Sequence, residues 1–464
     1  MKTLFLRAFN SAVAWSFLGT FLRLGASVLV LPLILKKLPP EHLGLWYVFG
    51  TIGSLAALLD LGFEPTITRM VSYVWGGASR LTAFGLHEPD AGAAARGPNH
   101  PLLHDLLATL RAYYRWVGLG VLLLLTFGGG AWIWIKTEDL PAATSLRGAW
   151  LLYAFGACLN FVSGRWPALL IGLGAIRQSQ QISIVSLLVY YVAAVLGLLL
   201  GAGLWSMVIG LLLMGWLARF LGRIGFCSHS GIPEPLPTPS FHREVFAAIW
   251  PHAWRMGLVS FGAFLIVQAN TLICSAFLGL ATTASYGISF QLLAMLVGIS
   301  SVWVQVKMPL INQLRVSGDH PAIARIFAAR VRLVLLTYAL GALCIIFIAP
   351  IALNRIGSRT ELLPFWPLTV FCLIQFLEMH HSLYATLVLS ENLNPFLKPA
   401  LLSGVAIVIL SSLLAPRMGI WGLLISAGVV QACYNNWWPV VRALSGLNVS
   451  TRRYWAYFFW LRSL

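Results

Sequence analysis

A succession of long apolar segments with arginines set inside them limits this chain more than any other feature. Twelve segments are apolar and long enough to cross a bilayer: 11–35, 43–75, 113–135, 148–173, 181–200, 204–226, 249–278, 284–310, 327–353, 362–390, 397–415 and 419–443. A crossing helix needs about 20 mostly apolar residues, and its backbone must satisfy its own hydrogen bonds in hydrocarbon. Arg23 lies near the middle of the first segment, Arg165 well inside the fourth and Arg255 inside the seventh. An arginine at that depth costs about 2.5–3.5 kcal/mol and is kept where it faces a bundle interior or a water-filled cavity. The expected fold class is all-α: a polytopic membrane protein whose cationic interior suits an anionic cargo.

Composition supports the class. Apolar residues make up 59% of the chain and charged residues 10%, which excludes disorder and argues against a soluble globular protein. The second segment is too long for a perpendicular span, so it is expected to tilt or to run beyond the membrane. No cleavable signal peptide stands out, since the first apolar segment is long, contains Arg23 and lacks a small-residue cleavage site. The six cysteines are scattered without C-x-x-C spacing and read as unpaired thiols, neither disulfides nor a metal site. The net charge of +17 is explained by topology, with no nucleic-acid partner implied. Of the 31 Lys and Arg, 21 fall at the termini and on the loops of their side. Three are counted inside spans (Arg23, Arg69, Arg165), Arg255 being counted at the cytoplasmic interface of its segment, and seven fall opposite: Lys36, Lys37, Lys136, Arg147, Arg355, Arg359 and Arg417. The positive-inside rule then predicts cytoplasmic termini, with the surface charge meeting anionic membrane lipid.

Two connections are long, 76–110 and 227–245. The second carries the proline-rich run Gly231-Ile-Pro-Glu-Pro-Leu-Pro-Thr-Pro239, which has little capacity to fold alone. It suggests a six-span lobe over 1–230, a cytoplasmic linker over 231–245 and a second six-span lobe over 246–464. Short matches recur between the halves. Ala168–Gly174 followed by Gly203-Leu-Trp-Ser resembles Ala385–Glu391 followed by Gly419-Ile-Trp-Gly, at offsets of 217 and 216 residues. Gly44 to Pro65 is spaced almost like Gly287 to Pro309. Repeats with an even number of spans share one membrane orientation, the plan of a two-lobe transporter with its site between lobes.

The stretch Leu43-Gly-Leu-Trp-Tyr-Val-Phe, with Leu58-Leu-Asp-Leu-Gly-Phe and Arg69-Met-Val-Ser-Tyr, resembles the second helix of Wzx-type polysaccharide flippases. Those belong to the multidrug/oligosaccharidyl-lipid/polysaccharide exporter superfamily. The resemblance extends over nearly the whole chain through span number and the connector between halves. It implies a V-shaped pair of six-helix lobes, alternating access and a location in the bacterial inner membrane. It also implies a cargo of polyprenyl diphosphate carrying an oligosaccharide, with other polysaccharide-assembly membrane proteins as neighbours.

A sugar head group and a diphosphate need a polar path through hydrocarbon. Arginine suits the diphosphate because it stays charged and offers a fork of donors. Arg23 is the leading candidate, with Gly19 and Ser27 four residues to either side expected to leave room for a ligand. Arg69 and Arg165 are candidates for the entry side of the same cavity, and Arg255 either joins them or snorkels to the interface. The alternative for Arg23 is a structural ion pair. Asp60 and Glu64, four apart on one expected helical face, either balance these arginines or bind a coupling cation. Glu378, near His380 and His381, is the main titratable group of the second half, for proton coupling or for a polar packing cluster. Gln268, Asn270, Gln291, Gln375 and Asn436 either meet sugar hydroxyls or bond between helices. No cofactor, catalytic or nucleotide-binding signature is present, so transport would draw on an H+ or Na+ gradient, the membrane potential or the cargo's own gradient. Three rivals remain: a multidrug or cation antiporter of the same superfamily, which buried arginines disfavour; a glycan polymerase or ligase, which short external loops disfavour; and a structural scaffold.

Overall fold

The computed structural model describes residues 12–60, 62–82, 97–232, 241–391, 395–447 and 449–459. Among them every regular element is helical and no strand occurs. The first half contains α1 (Ala12–Lys37), α2 (Pro40–Leu58), α3 (Phe63–Trp75), α4 (His100–Lys136), α5 (Ala143–Ser163), α6 (Arg165–Gly172), α7 (Ile176–Leu199) and α8 (Leu204–Ser230). The second contains α9 (Arg243–Val267), α10 (Ala269–Phe277), α11 (Gly279–Gln305), α12 (Met308–Val316), α13 (His320–Arg355), α14 (Phe365–Leu389), α15 (Leu397–Met418), α16 (Ile420–Val430), α17 (Trp438–Gly446) and α18 (Thr451–Phe459).

Among the described residues six stretches pass as spans by length and apolarity, and α9 with α10, bent by 40°, forms either a seventh, broken span or a re-entrant loop. Several other apolar segments are helices broken in mid-course. The overlong second segment neither tilts nor overshoots as one rod: it stops at Leu58 and restarts at Phe63. Pro65 falls in the first turn of α3, where its missing N–H leaves no helical bond unmade. The fourth segment breaks likewise between Ser163 and Arg165.

The chain forms two compact units, residues 1–38 with 48–261 and residues 39–47 with 262–464. The proline-rich run, over residues 233–240, lies outside the described residues. In the first unit, Phe63, Ile67, Met70, Trp166 and Phe226 form a buried core that also takes in Val245, Ile249 and Ala253 from α9. His242 holds the start of that segment to α4: its backbone N–H donates to Thr109 Oγ1 (3.1 Å) and its Nε2 lies 3.4 Å from Asp105. In the second unit, Gly44 lies directly against the Leu280 carbonyl and Gly287 against the Tyr47 ring, so any side chain there would collide. The Tyr47 hydroxyl donates to Gln291 at 2.7 Å.

Local features recur between the halves. Gly203 and Gly419 share one backbone conformation, φ 57°, ψ −131° and φ 59°, ψ −136°, open in practice only to glycine. Asn99 and Asp319 each cap a helix that begins His-Pro, accepting from Leu102 N (3.1 Å) and Ala322 N (3.0 Å). Each of those helices carries a π-turn, at Leu124–Gly129 and Cys344–Ile348. Both pairs stand 220 residues apart (100 to 320, 124 to 344).

Candidate functional site

The broken second segment builds a polar cavity inside the first unit. Where α2 ends, Asp60 sits in the turn two residues before the α3 cap at Gly62, its Oδ2 accepting from the Glu64 backbone N–H at 3.1 Å. Its Oδ1 accepts from the Tyr114 hydroxyl at 2.7 Å. Asp60, Glu64, Tyr114, Tyr153, Asn160 and Phe161 line a cavity of about 380 Å³. Asn160, on α5, spends its amide donors on the Gly156 and Leu211 carbonyls at 2.8 and 3.0 Å. Two carboxyl groups, two phenols and a carboxamide make a lining that takes a cation or a donor-rich neutral group.

This geometry revises how Asp60 and Glu64 come together. They share no continuous helical face, because the helix breaks between them; a turn joins them instead. Among the described residues Asp60 meets no arginine: one oxygen faces the tyrosine and the other the α3 backbone.

None of the four candidate arginines lines the cavity. Arg23, Arg69 and Arg255 are exposed on α1, α3 and α9. Among the described residues no carboxylate pairs with any of them. The Arg255 guanidinium stands 5.7 Å from the centre of the Trp254 ring. Arg165 is different: it is 5% exposed, beside the break at Gly164, with its guanidinium 4.7 Å from the Trp166 ring centre. The space expected beside Arg23 is partly filled. Gly19 is buried, and a Cβ there would stand 3.3 Å from Gln180 Oε1, so this small residue serves the packing of α1 on α7. The Ser27 side chain lies outside the described residues.

The second unit holds a smaller polar centre. Glu378 on α14 accepts from the Gln431 amide, in a π-turn spanning Gln431–Asn435. Together with Asn270, Tyr286 and Gln375 they border a cavity of about 20 Å³, room for one water-sized occupant. His381 Nδ1 donates to the Asn435 carbonyl at 2.6 Å, and Asn436 Nδ2 to the Gln431 carbonyl at 3.1 Å. Gln291 is engaged elsewhere, by Tyr47. Among the described residues no three His, Cys, Asp or Glu side chains cluster as a metal site would require.

Sequence reading passed over Tyr114, Tyr153 and Asn160. Asn160 was legible as a carboxamide inside an apolar segment, whereas the tyrosines read as ordinary aromatic packing until the fold turns them onto one cavity.

The long apolar helices are those of a multi-pass membrane protein. Its fold is shared with transporters of the multidrug/oligosaccharidyl-lipid/polysaccharide exporter (MOP) superfamily. An inward-facing multidrug-resistance MATE family transporter matches over 95% of this chain and 100% of its own, with a TM-score of 0.63 and 12% identity. The lipid II flippase MurJ, in an inward closed conformation, matches over 97% of this chain and 90% of its own, with a TM-score of 0.61 and 13% identity. A MOP superfamily transporter from Pyrococcus furiosus, described as having a binding pocket of reversed polarity, matches over 96% and 98%, with a TM-score of 0.57 and 14% identity. No protein-family profile matches the chain, and no curated protein does.

Proposed function

We propose that this protein is a flippase of the Wzx type. It moves a polyprenyl-diphosphate-linked oligosaccharide from the cytoplasmic to the outer face of a bacterial inner membrane, for cell-surface polysaccharide synthesis. The observation that carries this reading is the set Arg23, Arg69 and Arg255, exposed in apolar segments with no carboxylate partner among the described residues. A guanidinium at membrane depth is costly against lipid, so each needs a polar volume and an anion. A diphosphate supplies that anion in the geometry a guanidinium fork fits. The fold shared with a lipid II flippase supports the reading. In it both termini are cytoplasmic, two lobes alternate access, Arg165 joins the cationic path, and Asp60, Glu64 or Glu378 serves ion coupling.

The test is Arg23→Ala in cells and in vesicles loaded with candidate lipid-linked oligosaccharides. Glycan export is lost while protein abundance holds, and Arg23→Lys restores only part, since it keeps the charge without the fork. Normal export by the alanine variant at native abundance removes Arg23 from the mechanism.

One observation favours a second reading, an antiporter of cationic compounds: the roomy cavity carries Asp60 and Glu64 and no arginine. Proton- or sodium-driven uptake of organic cations into the same vesicles, abolished by Asp60→Asn and untouched by Arg23→Ala, would establish it.

A further inference from the structure

The last described helix, α18, lies on the surface and presents a face that the transport reading leaves unused. Ser450 opens it, its hydroxyl accepting from the Arg453 backbone N–H at 3.3 Å. The helix packs against α13. Buried Tyr454 anchors it, its hydroxyl 2.9 Å from that of Tyr384, and Arg332 Nη1 donates to the Phe458 carbonyl at 3.0 Å. These contacts hold one side of α18 in place. The other side leaves Arg452, Arg453, Trp455 and Phe459 exposed, Phe459 by 70%.

Beside this face two guanidinium groups gather on one ring. Arg325, near the start of α13, lies 5.7 Å from the centre of Tyr457, and Arg453 lies 5.8 Å from the same point. Arg453 Nε also donates to the Tyr457 hydroxyl at 2.8 Å. Neither α13 over residues 320–343 nor the chain from 447 to 464 contains a single Asp or Glu. Among the described residues no ion pair involves Arg325, Arg452 or Arg453. Two like charges drawn to one ring repel each other, and an anion brought between them relieves that repulsion. The setting defines its source. On the twelve-segment reading the last apolar segment ends at 443, within α17, and α18 begins at Thr451, which would set α18 beside a membrane surface. Trp and Phe beside arginines are the side chains that settle where acyl chains meet headgroups.

We propose that α18 and the first turns of α13 form a binding surface for an anionic phospholipid. Its phosphodiester is taken between Arg325 and Arg453, and its acyl chains lie along Trp455 and Phe459. Recognition rests on headgroup charge, and it is independent of the transported cargo.

Native mass spectrometry of the full chain in mild detergent tests this, titrated with phosphatidylglycerol, with phosphatidylcholine of the same acyl chains, and with inorganic phosphate. Wild type binds phosphatidylglycerol in preference to phosphatidylcholine. An interfacial arginine contributes about fivefold to binding an anionic surface, so Arg325→Gln with Arg453→Gln weakens phosphatidylglycerol roughly 30-fold and leaves phosphatidylcholine unchanged. The corresponding lysine pair keeps most of the preference. Should the glutamine pair fail to fold, Arg452→Gln with Phe459→Ala, both at exposed positions, gives a smaller loss in the same direction. Equal binding of the two lipids by wild type, or an intact preference in the glutamine pair, overturns the proposal. Displacement of phosphatidylglycerol by millimolar phosphate overturns the lipid assignment and leaves a free-anion site.

Discussion

Two helix junctions, one in each unit, are closed by different chemistry. In the first unit, the end of α3 is held to α6 by hydroxyls: Thr68 Oγ1 donates to the Ala168 carbonyl at 3.3 Å and Ser72 Oγ to the Gly172 carbonyl at 3.1 Å. In the second, the end of α12 is held to α14 by charge. Arg315 donates to Ser390 Oγ (3.0 Å) and the Leu387 carbonyl (3.2 Å), and its Nη1 lies 3.4 Å from Glu391. Arg442 of α17 reaches the other Glu391 oxygen at 3.1 Å. A hydroxyl–carbonyl contact is neutral and replaceable, worth about 1 kcal/mol. A poorly exposed carboxylate between two arginines is costly to interrupt, because the survivors are left uncompensated. The comparison teaches that neutral hydroxyl contacts and a buried charge triad can each join helix ends, at very different cost when removed.

The largest effect on assembly is expected at the charged corner. Glu391→Ala leaves Arg315 and Arg442 facing each other and lowers stability by about 3 kcal/mol, read as a fall in the thermal midpoint in detergent and in membrane abundance. An unchanged midpoint would mean the triad holds nothing and the contrast between corners is only apparent.

The next effect separates the two polar centres. Asp60→Asn keeps one acceptor for the α3 backbone N–H and turns its amide to donate to the Tyr114 hydroxyl, which can accept, so the fold survives. Transport falls roughly tenfold, corresponding to about 1.5 kcal/mol for a charge-assisted hydrogen bond, if the charge of the larger cavity is used in each cycle. Vesicle transport by D60N and by Glu378→Gln, compared side by side, shows which cavity carries the coupling. Full activity in both variants rejects coupling at either.

The smallest effect belongs to the hydroxyl corner. Ser72→Ala removes one exposed, shared contact, since the same hydroxyl also reaches the Thr68 carbonyl at 2.9 Å. Its cost stays below about 1 kcal/mol, and transport is unaffected. A loss matching that of the Glu391 variant would erase the difference between the halves.

Sequence alone determined the class of this protein, because hydropathy is local: each apolar segment declares its need for hydrocarbon without reference to the others. It also placed Arg23, Arg69 and Arg255 inside such segments, and it marked the matched glycines at 203 and 419. The Asn-His-Pro and Asp-His-Pro starts at 99–101 and 319–321 were equally legible and add a second register between the halves. Tertiary structure decided what those residues meet. Asp60 and Glu64 looked like one helical face until α2 ended at Leu58 and α3 restarted at Phe63, leaving the Asp60 carboxylate to accept from the Glu64 backbone N–H. Gly19 looked like room for a ligand until Gln180 of α7 occupied it. Tyr114 and Asn160 became cavity residues because α4 and α5 carry them to a turn some 50 to 100 residues earlier in the chain. Such meetings depend on helix rotation and side-chain reach across the bundle, which no local pattern encodes.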